Sequence, residues 1–316
     1  MGSCADEKDT KLYPSPRELR DSIEIGEAFA HASLMSRRVE HLLVVANFTE
    51  RSEYAIGRAV ECGNKLEAQV TILHVIEPGP TRNITKRRQH EARESLAKRI
   101  QIIPPDARSD ISINVRIGEP CLEIAREAIE LGSDVIVLGL DGEGQMATDV
   151  VRYSDKPVLL VTRPPAGPYR CSVVDVSVTP QSTVSAAFRL APTAESHFVL
   201  VRSQMAFDSS NEKPPELRLK QLHSAVSWHS ILNSEVPWVP VSLVQATGDP
   251  IDVLFDVVDQ VSADLLVVDA DGALQEICEH KRGLVPGYLT APRCDLLLVG
   301  GNDCHSFLAR KQFLGS

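Results

Sequence analysis

The sequence predicts an α/β protein: two tandem five-stranded parallel-sheet domains, each flanked by helices, preceded by an N-terminal helix. Three observations carry this expectation. Short apolar runs rich in β-branched residues alternate with helical segments, and such alternation builds parallel sheets through right-handed crossovers. The pattern also occurs twice. Gly118-Glu119-Pro120, a helix and Ser133-Asp134-Val135-Ile136-Val137 recur as Gly248-Asp249-Pro250, a helix and Ala263-Asp264-Leu265-Leu266-Val267, with the same interval of 16 residues from glycine to aspartate. That is the mark of an internal repeat. Finally, 316 residues are more than one core of ordinary size needs, and Arg163-Pro164-Pro165-Ala166-Gly167-Pro168 reads as a stiff linker between the copies. The expected division is 1–37, 38–163, 164–170, 171–302 and a tail at 303–316.

Residues 1–14 read as a flexible start. Ser15-Pro16-Arg17-Glu18 has the spacing of a capping box with proline at the first helical position, and it opens a helix over 16–35. An isolated helix of that length is marginal in water, so this one is expected to dock on a domain or on a second chain. His41 to Ala46 reads as the first strand, Arg51 to Leu66 as a helix with Tyr54, Ala55, Ala59 and Cys62 inward, and Ala68 to Val75 as the second strand. A helix over 83–100 is charged on most of its circumference and should be largely solvated. Ile111 to Ile117 alternates as the third strand. A helix then runs from Gly118-Glu119-Pro120 to Leu131 with Gly132 as its cap. Val135 to Leu138 and 157–162 are short apolar runs, read as strands buried on both faces. In the second copy the strands fall at 171–176, 196–202, 239–245, 265–268 and 295–299, with helices at 180–190, 216–232 and 250–262. The two end strands, 157–162 and 295–299, are strongly apolar and need cover, so they are expected at the mutual edge of an internal pseudo-dimer.

Composition removes several functions. A net charge of −10 argues against nucleic-acid or anionic-membrane surfaces. No apolar run approaches a membrane span. The start, MGSCADEKDT, lacks a secretion signal, and Asp6 stands where an acylation signal wants Ser or Thr. The cysteines, at 4, 62, 121, 171, 278, 294 and 304, form no C-x-x-C pair and read as buried thiols of a reducing cytoplasm. The histidines show no H-E-x-x-H or i,i+4 pairing, so no metal site is expected. Asp269-x-Asp271-Gly272 lacks the third aspartate and distal glutamate of a calcium loop. No nucleophile–base constellation points to catalysis.

The chemistry, if any, belongs to the turn after Leu138, where Gly139, Gly142 and Gly144 lead from a strand into a helix over 145–153. Open α/β sheets bind anions at such a place. The segments LLVVANFTERSEYAIGRAVECGNKLEAQVTILHVIEP, VRIGEPCLEIAREAIELGSDVIVLGLDGEG and DKPVLLVT resemble the universal stress protein family in its tandem form, with 171–300 a weaker match. The resemblance implies a Rossmann-like (HUP-type) fold, pairing through the fifth strand, and a cytoplasmic stress-response role. Some members of that family bind ATP through an aspartate after the first strand and a Gly-x2-Gly-x9-Gly-Ser/Thr loop after the fourth.

Those binding features carry over unevenly. Asn47 stands at the position of the adenine-facing aspartate, and Ser177 in the repeat, while Thr49 and Thr179 keep the hydroxyl two positions on. Gly139-x2-Gly142 matches the start of the loop. Gly144-Gln145 then follows after one intervening residue rather than nine, with Gln for the hydroxyl. Asp141 and Glu143 in the turn repel phosphates unless a Mg²⁺ bridges them. Any surviving nucleotide site would consist of Asn47, Thr49, Val75, Gly139, Gly142, Gly144 and Gln145. The sequence therefore favours a non-enzymatic regulatory or interaction protein with no cofactor, acting through a protein partner or self-association as a pseudo-dimer or homodimer. Weak ATP or AMP binding through the glycine turn of the first domain is the alternative. An adenylating enzyme using the same crevice is the third reading.

Overall fold

The computed structural model describes residues 38–104, 110–141, 145–177, 180–191, 196–204, 220–222, 241–270, 289 and 292–300. The N-terminal helix and the C-terminal tail lie outside these residues, as do Gly142, Gly144 and Thr179. The first copy runs β1 (His41–Val45), α1 (Glu50–Leu66), β2 (Gln69–Ile76), α2 (Arg82–Ile100), β3 (Ile111–Ile117), α3 (Pro120–Glu130), β4 (Val135–Gly139), α4 (Gln145–Tyr153) and β5 (Val158–Val161). The second runs β6 (Cys171–Asp175), α5 (Pro180–Leu190), β7 (His197–Gln204), β8 (Lys220–Leu222), β9 (Val241–Thr247), α6 (Pro250–Val261), β10 (Leu265–Asp269) and β11 (Asp295–Val299).

The strands join into one continuous sheet, in the order β3-β2-β1-β4-β5-β11-β10-β6-β7-β9-β8 among the described residues. Within each copy the five repeated strands are parallel. At the centre β5 meets β11 antiparallel, with Leu159 opposite Leu297. These are equivalent positions of the two copies, so a local two-fold passes between them. The α1, α2 and α5 helices cover one face, burying Ala55, Leu96 and Phe188 with Leu42 and Val137 of the sheet. The α3, α4 and α6 helices cover the other, burying Ile124, Val150 and Leu254 with Leu43 and Ile136.

The repeated Gly-x-Pro motif has a local cause. Glu119 caps α3 by accepting from Cys121 N and Leu122 N, with Pro120 in the first turn. Asp249 does the same for α6 ahead of Pro250. The aspartates 16 residues beyond each glycine also share one task. Asp134 Oδ2 accepts from Glu40 N and His41 N at 2.7 and 3.1 Å, and Asp264 Oδ2 from Arg170 N and Cys171 N at 2.6 and 3.1 Å. Each thereby ties the start of one strand to the next. Asp134 Oδ1 also takes Arg189 Nη2 of the second copy at 2.7 Å.

One expectation is overturned. The sequence places a helix over 216–232, but Lys220–Leu222 is a strand, antiparallel to β9. Without it β9 would present a free row of backbone donors and acceptors, and pairing that edge outweighs local helix propensity. The helix over 82–100 is solvated as its charge demands, with Ala92 and Leu96 as its buried residues.

Candidate functional site

In the first copy β1 lies between β2 and β4, and the chain leaves it in opposite senses on the two sides. The crevice at such a switch point, beyond the carboxyl ends of the strands, is where open α/β sheets hold ligands. After β1 the chain passes Ala46 and Asn47, turns through Phe48 at φ +63°, and enters α1 with Thr49 as its N-cap. A bulky residue in the left-handed region is held there by its surroundings. The Phe48 ring packs 4.5 Å from that of His74, and the Arg99 guanidinium lies 5.0 Å over it. His74 Nδ1 is in turn 2.6 Å from Ala46 O.

This turn brings Asn47 and Thr49 together with Asp141, two residues beyond β4. Asn47 Nδ2 donates to Asp141 Oδ2 at 2.9 Å. The Thr49 hydroxyl stands 2.7 Å from both Asn47 Oδ1 and Asp141 Oδ2, with one proton to donate. Its oxygen meanwhile accepts from Ser52 N at 3.2 Å, capping the helix. All three side chains face solvent. A carboxylate of the chain itself therefore sits on the two polar groups that the sequence assigns to a nucleotide.

Gly139 has a different reason to be glycine. A Cβ there would lie 2.4 Å from the carbonyl carbon and oxygen of Arg51 and 2.7 Å from Ser52 N. The first turn of α1 is pressed against the end of β4, and only a residue without a side chain permits that approach. Arg51 also donates to Thr162 O. Val75 is half-buried on β2 and packs against the core rather than standing free. The backbone of Gln145 begins α4; Gly142 and Gly144 are not among the described residues. The sequence reading missed the latch from Asp141 to Asn47 and Thr49. Its signal is an aspartate two residues beyond the glycine of β4, facing an asparagine two residues beyond β1.

In the second copy Ser177 takes the place of Asn47, and its oxygen accepts from Ser203 N at 3.0 Å. The equivalent of Gly139 is Asp269, a buried carboxylate. Beside it the Asp175 carboxyl is pushed upward, chiefly by burial and further by Asp269, against the hydrogen bonds from Ser177 that lower it. Two carboxyls thus stand at the carboxyl ends of the neighbouring strands β6 and β10. Among the described residues no group of three or more His, Cys, Asp or Glu could hold a metal ion, and no helix is long and apolar enough to cross a membrane.

Residues 38–162 match the model of the universal stress protein family. Over these residues the chain is similar to that family. A universal stress protein from Archaeoglobus fulgidus DSM 4304 superposes over 84% of this chain and 98% of its own, with a TM-score of 0.61 at 13% identity. A functionally unknown protein from Pseudomonas aeruginosa PAO1 covers 89% and 98%, with a TM-score of 0.52 at 14% identity. A universal stress protein solved in complex with cAMP covers 40% of this chain and 98% of its own, with a TM-score of 0.29 at 20% identity. Comparison with curated proteins found no match. The first two likenesses span both copies, so the universal stress protein fold extends across the tandem chain, the second copy included.

Proposed function

We propose that this chain is a non-enzymatic, cytoplasmic stress-response protein that works through a protein partner or self-association, with universal stress protein crevices degenerate for nucleotides. The observation that supports this reading is the Asp141 carboxylate, hydrogen-bonded to Asn47 and Thr49 where a nucleotide would need them. A phosphate cradle works with amides and cations, and a fixed negative charge opposes it. The other expected determinants support the same reading: Gly139 serves helix packing, and the second crevice carries Asp175 and Asp269. Among the described residues the thiols supply no nucleophile. Burial pushes those of Cys62 and Cys294 up to about 12 and that of Cys121 to about 11, so they stay protonated at neutral pH. Such protonated thiols suit a reducing cytoplasm.

Titration calorimetry with ATP, AMP and cAMP, with and without Mg²⁺, tests the proposal. The expected affinity is no tighter than roughly millimolar, about 4 kcal/mol of binding free energy. Asp141→Asn, which removes the charge and keeps the size, should raise ATP affinity by about ten-fold. Micromolar binding by the unaltered protein would replace this reading with that of an ATP- or AMP-binding protein using the glycine turn of the first copy.

A further inference from the structure

The seam between β5 and β11 is two-fold in its backbone but not in its side chains. At one corner, Asp295 is fully buried at the start of β11. Its Oδ1 accepts from Thr162 N and the Thr162 hydroxyl at 2.9 and 3.2 Å. Its Oδ2 accepts from the Tyr169 hydroxyl at 2.8 Å and stands 3.3 Å from Arg58 Nε. The Arg58 guanidinium is also buried and lies 4.3 Å over the Tyr169 ring. The strand pairings fix which residues occupy the opposite corner. Aligning β4–β5 with β10–β11 puts Pro157 at the position of Asp295 and Gly300 at that of Thr162. Aligning β1 with β6, and α1 with α5, puts Val39 at the position of Tyr169 and Phe188 at that of Arg58. Val39 and Phe188 are buried core residues. One corner is therefore ionic and hydrogen-bonded, and its mate is apolar.

We propose that this asymmetry selects the partner at the seam: it fits one copy of each kind and rejects pairing of like with like. Two first copies meeting through β5 would bury Arg58 at both corners opposite Pro157, each losing the buried Asp295 and keeping only the partly exposed Glu61 of its own helix as a carboxylate partner. Two second copies meeting through β11 would set Asp295 at both corners beside Phe188 and Gly300, without Arg58 or the Thr162 hydroxyl. Removing one partner from a buried ion pair is far more costly than never having the pair, and each like pairing does so twice. Discrimination comes from this repulsive term, because the apolar strands alone would pair in either combination. The partner that fits β5 is the β11 of a second-type copy, so β5 is closed to a first-type copy, whether that of a second molecule of this chain or one standing alone.

Disulfide trapping in the full chain tests this. Leu159 and Leu297 face each other at the local two-fold. The double variant Leu159→Cys/Leu297→Cys, refolded and oxidised, should close a 159–297 link within one chain, identified by mass spectrometry of the linked peptides. Links of 159 to 159 and 297 to 297 between chains should be near background. Adding Asp295→Leu should raise the 297-to-297 links by about ten-fold or more, since removing the buried charge relieves the rejection between second copies. If Asp295→Leu does not fold, Asp295→Asn, which keeps the size and the acceptor for Thr162 N, should show the same rise to a smaller extent. Like-to-like links as frequent in the parent as the 159–297 link would overturn the proposal, and so would folded Asp295 variants with no more 297-to-297 links than the parent.

Discussion

At the scale of single residues, His41 shows how strand pairing supplies a buried polar group with partners. His41 is buried, with Nδ1 2.8 Å from Ser133 Oγ and Nε2 2.8 Å from Thr71 Oγ1. Burial lowers its pKa from the ordinary value, and Asp134 and Glu127 offset this only in part. The unfolded chain, whose imidazole titrates near about 6.5, therefore takes up a proton more readily than the folded one. The stabilisation from a neutral His41 is complete above that pH and is lost as pH falls through the lower, folded value. Between pH 7.5 and 5.5 the urea midpoint of the protein should fall by more than that of His41→Asn; equal falls would show that another group governs this range. Neither the burial of His41 nor its hydroxyl partners is legible in the sequence, because Thr71 and Ser133 reach it only through strand pairing.

At the scale of elements, the open side of β3 shows how the sheet ends. Its even-numbered residues pair inward with β2, as the flanking bonds from Val70 N to Asp110 O and from Gly118 N to Ile76 O require. Val115 points its backbone outward, and both of its groups are occupied. Its N–H donates to Asn114 Oδ1 at 2.9 Å, and its carbonyl accepts from Gln89 Nε2 of α2 at 3.3 Å. Side chains thus blunt an edge that would otherwise recruit another strand. At the opposite end of the sheet, β8 covers β9 instead. The double variant Gln89→Ala/Asn114→Ala should scatter light at a lower temperature on heating than the parent, by about 2 °C for the loss of roughly 1 kcal/mol at the edge of a chain of this size. An unchanged onset would show that the edge is guarded elsewhere.

At the scale of the molecule, all of β5 and β11 is buried at the seam. Parting the copies would expose two apolar strand edges and the Arg58–Asp295 pair together, so the tandem chain should unfold as one unit. Both tryptophans, Trp228 and Trp238, belong to the second copy. Those residues lie outside the described ones, whereas the buried thiols Cys62 and Cys294 lie one in each copy. Their exposure to a thiol reagent, resolved by peptide mass spectrometry, should give coincident urea transitions; exposure of Cys294 that clearly precedes that of Cys62 would mean that the second copy opens alone.

By itself the sequence determined the strand and helix alternation, the repeat, and the helix entries at Glu119 and Asp249. Each of these rests on apolar periodicity or on capping within a few residues. It also singled out the crevice after β1 and β4, because glycine and polar residues stand there in a recognisable order. Only the tertiary structure decided what those residues do. Gly139 must be glycine because α1 crosses within contact distance, and Asp141 reaches Asn47 and Thr49 across 94 and 92 positions of chain. Only the tertiary structure, likewise, set Lys220–Leu222 on the edge of the sheet in place of a helix. Backbone pairing and close approach between distant segments depend on where the chain returns, and local pattern does not record that.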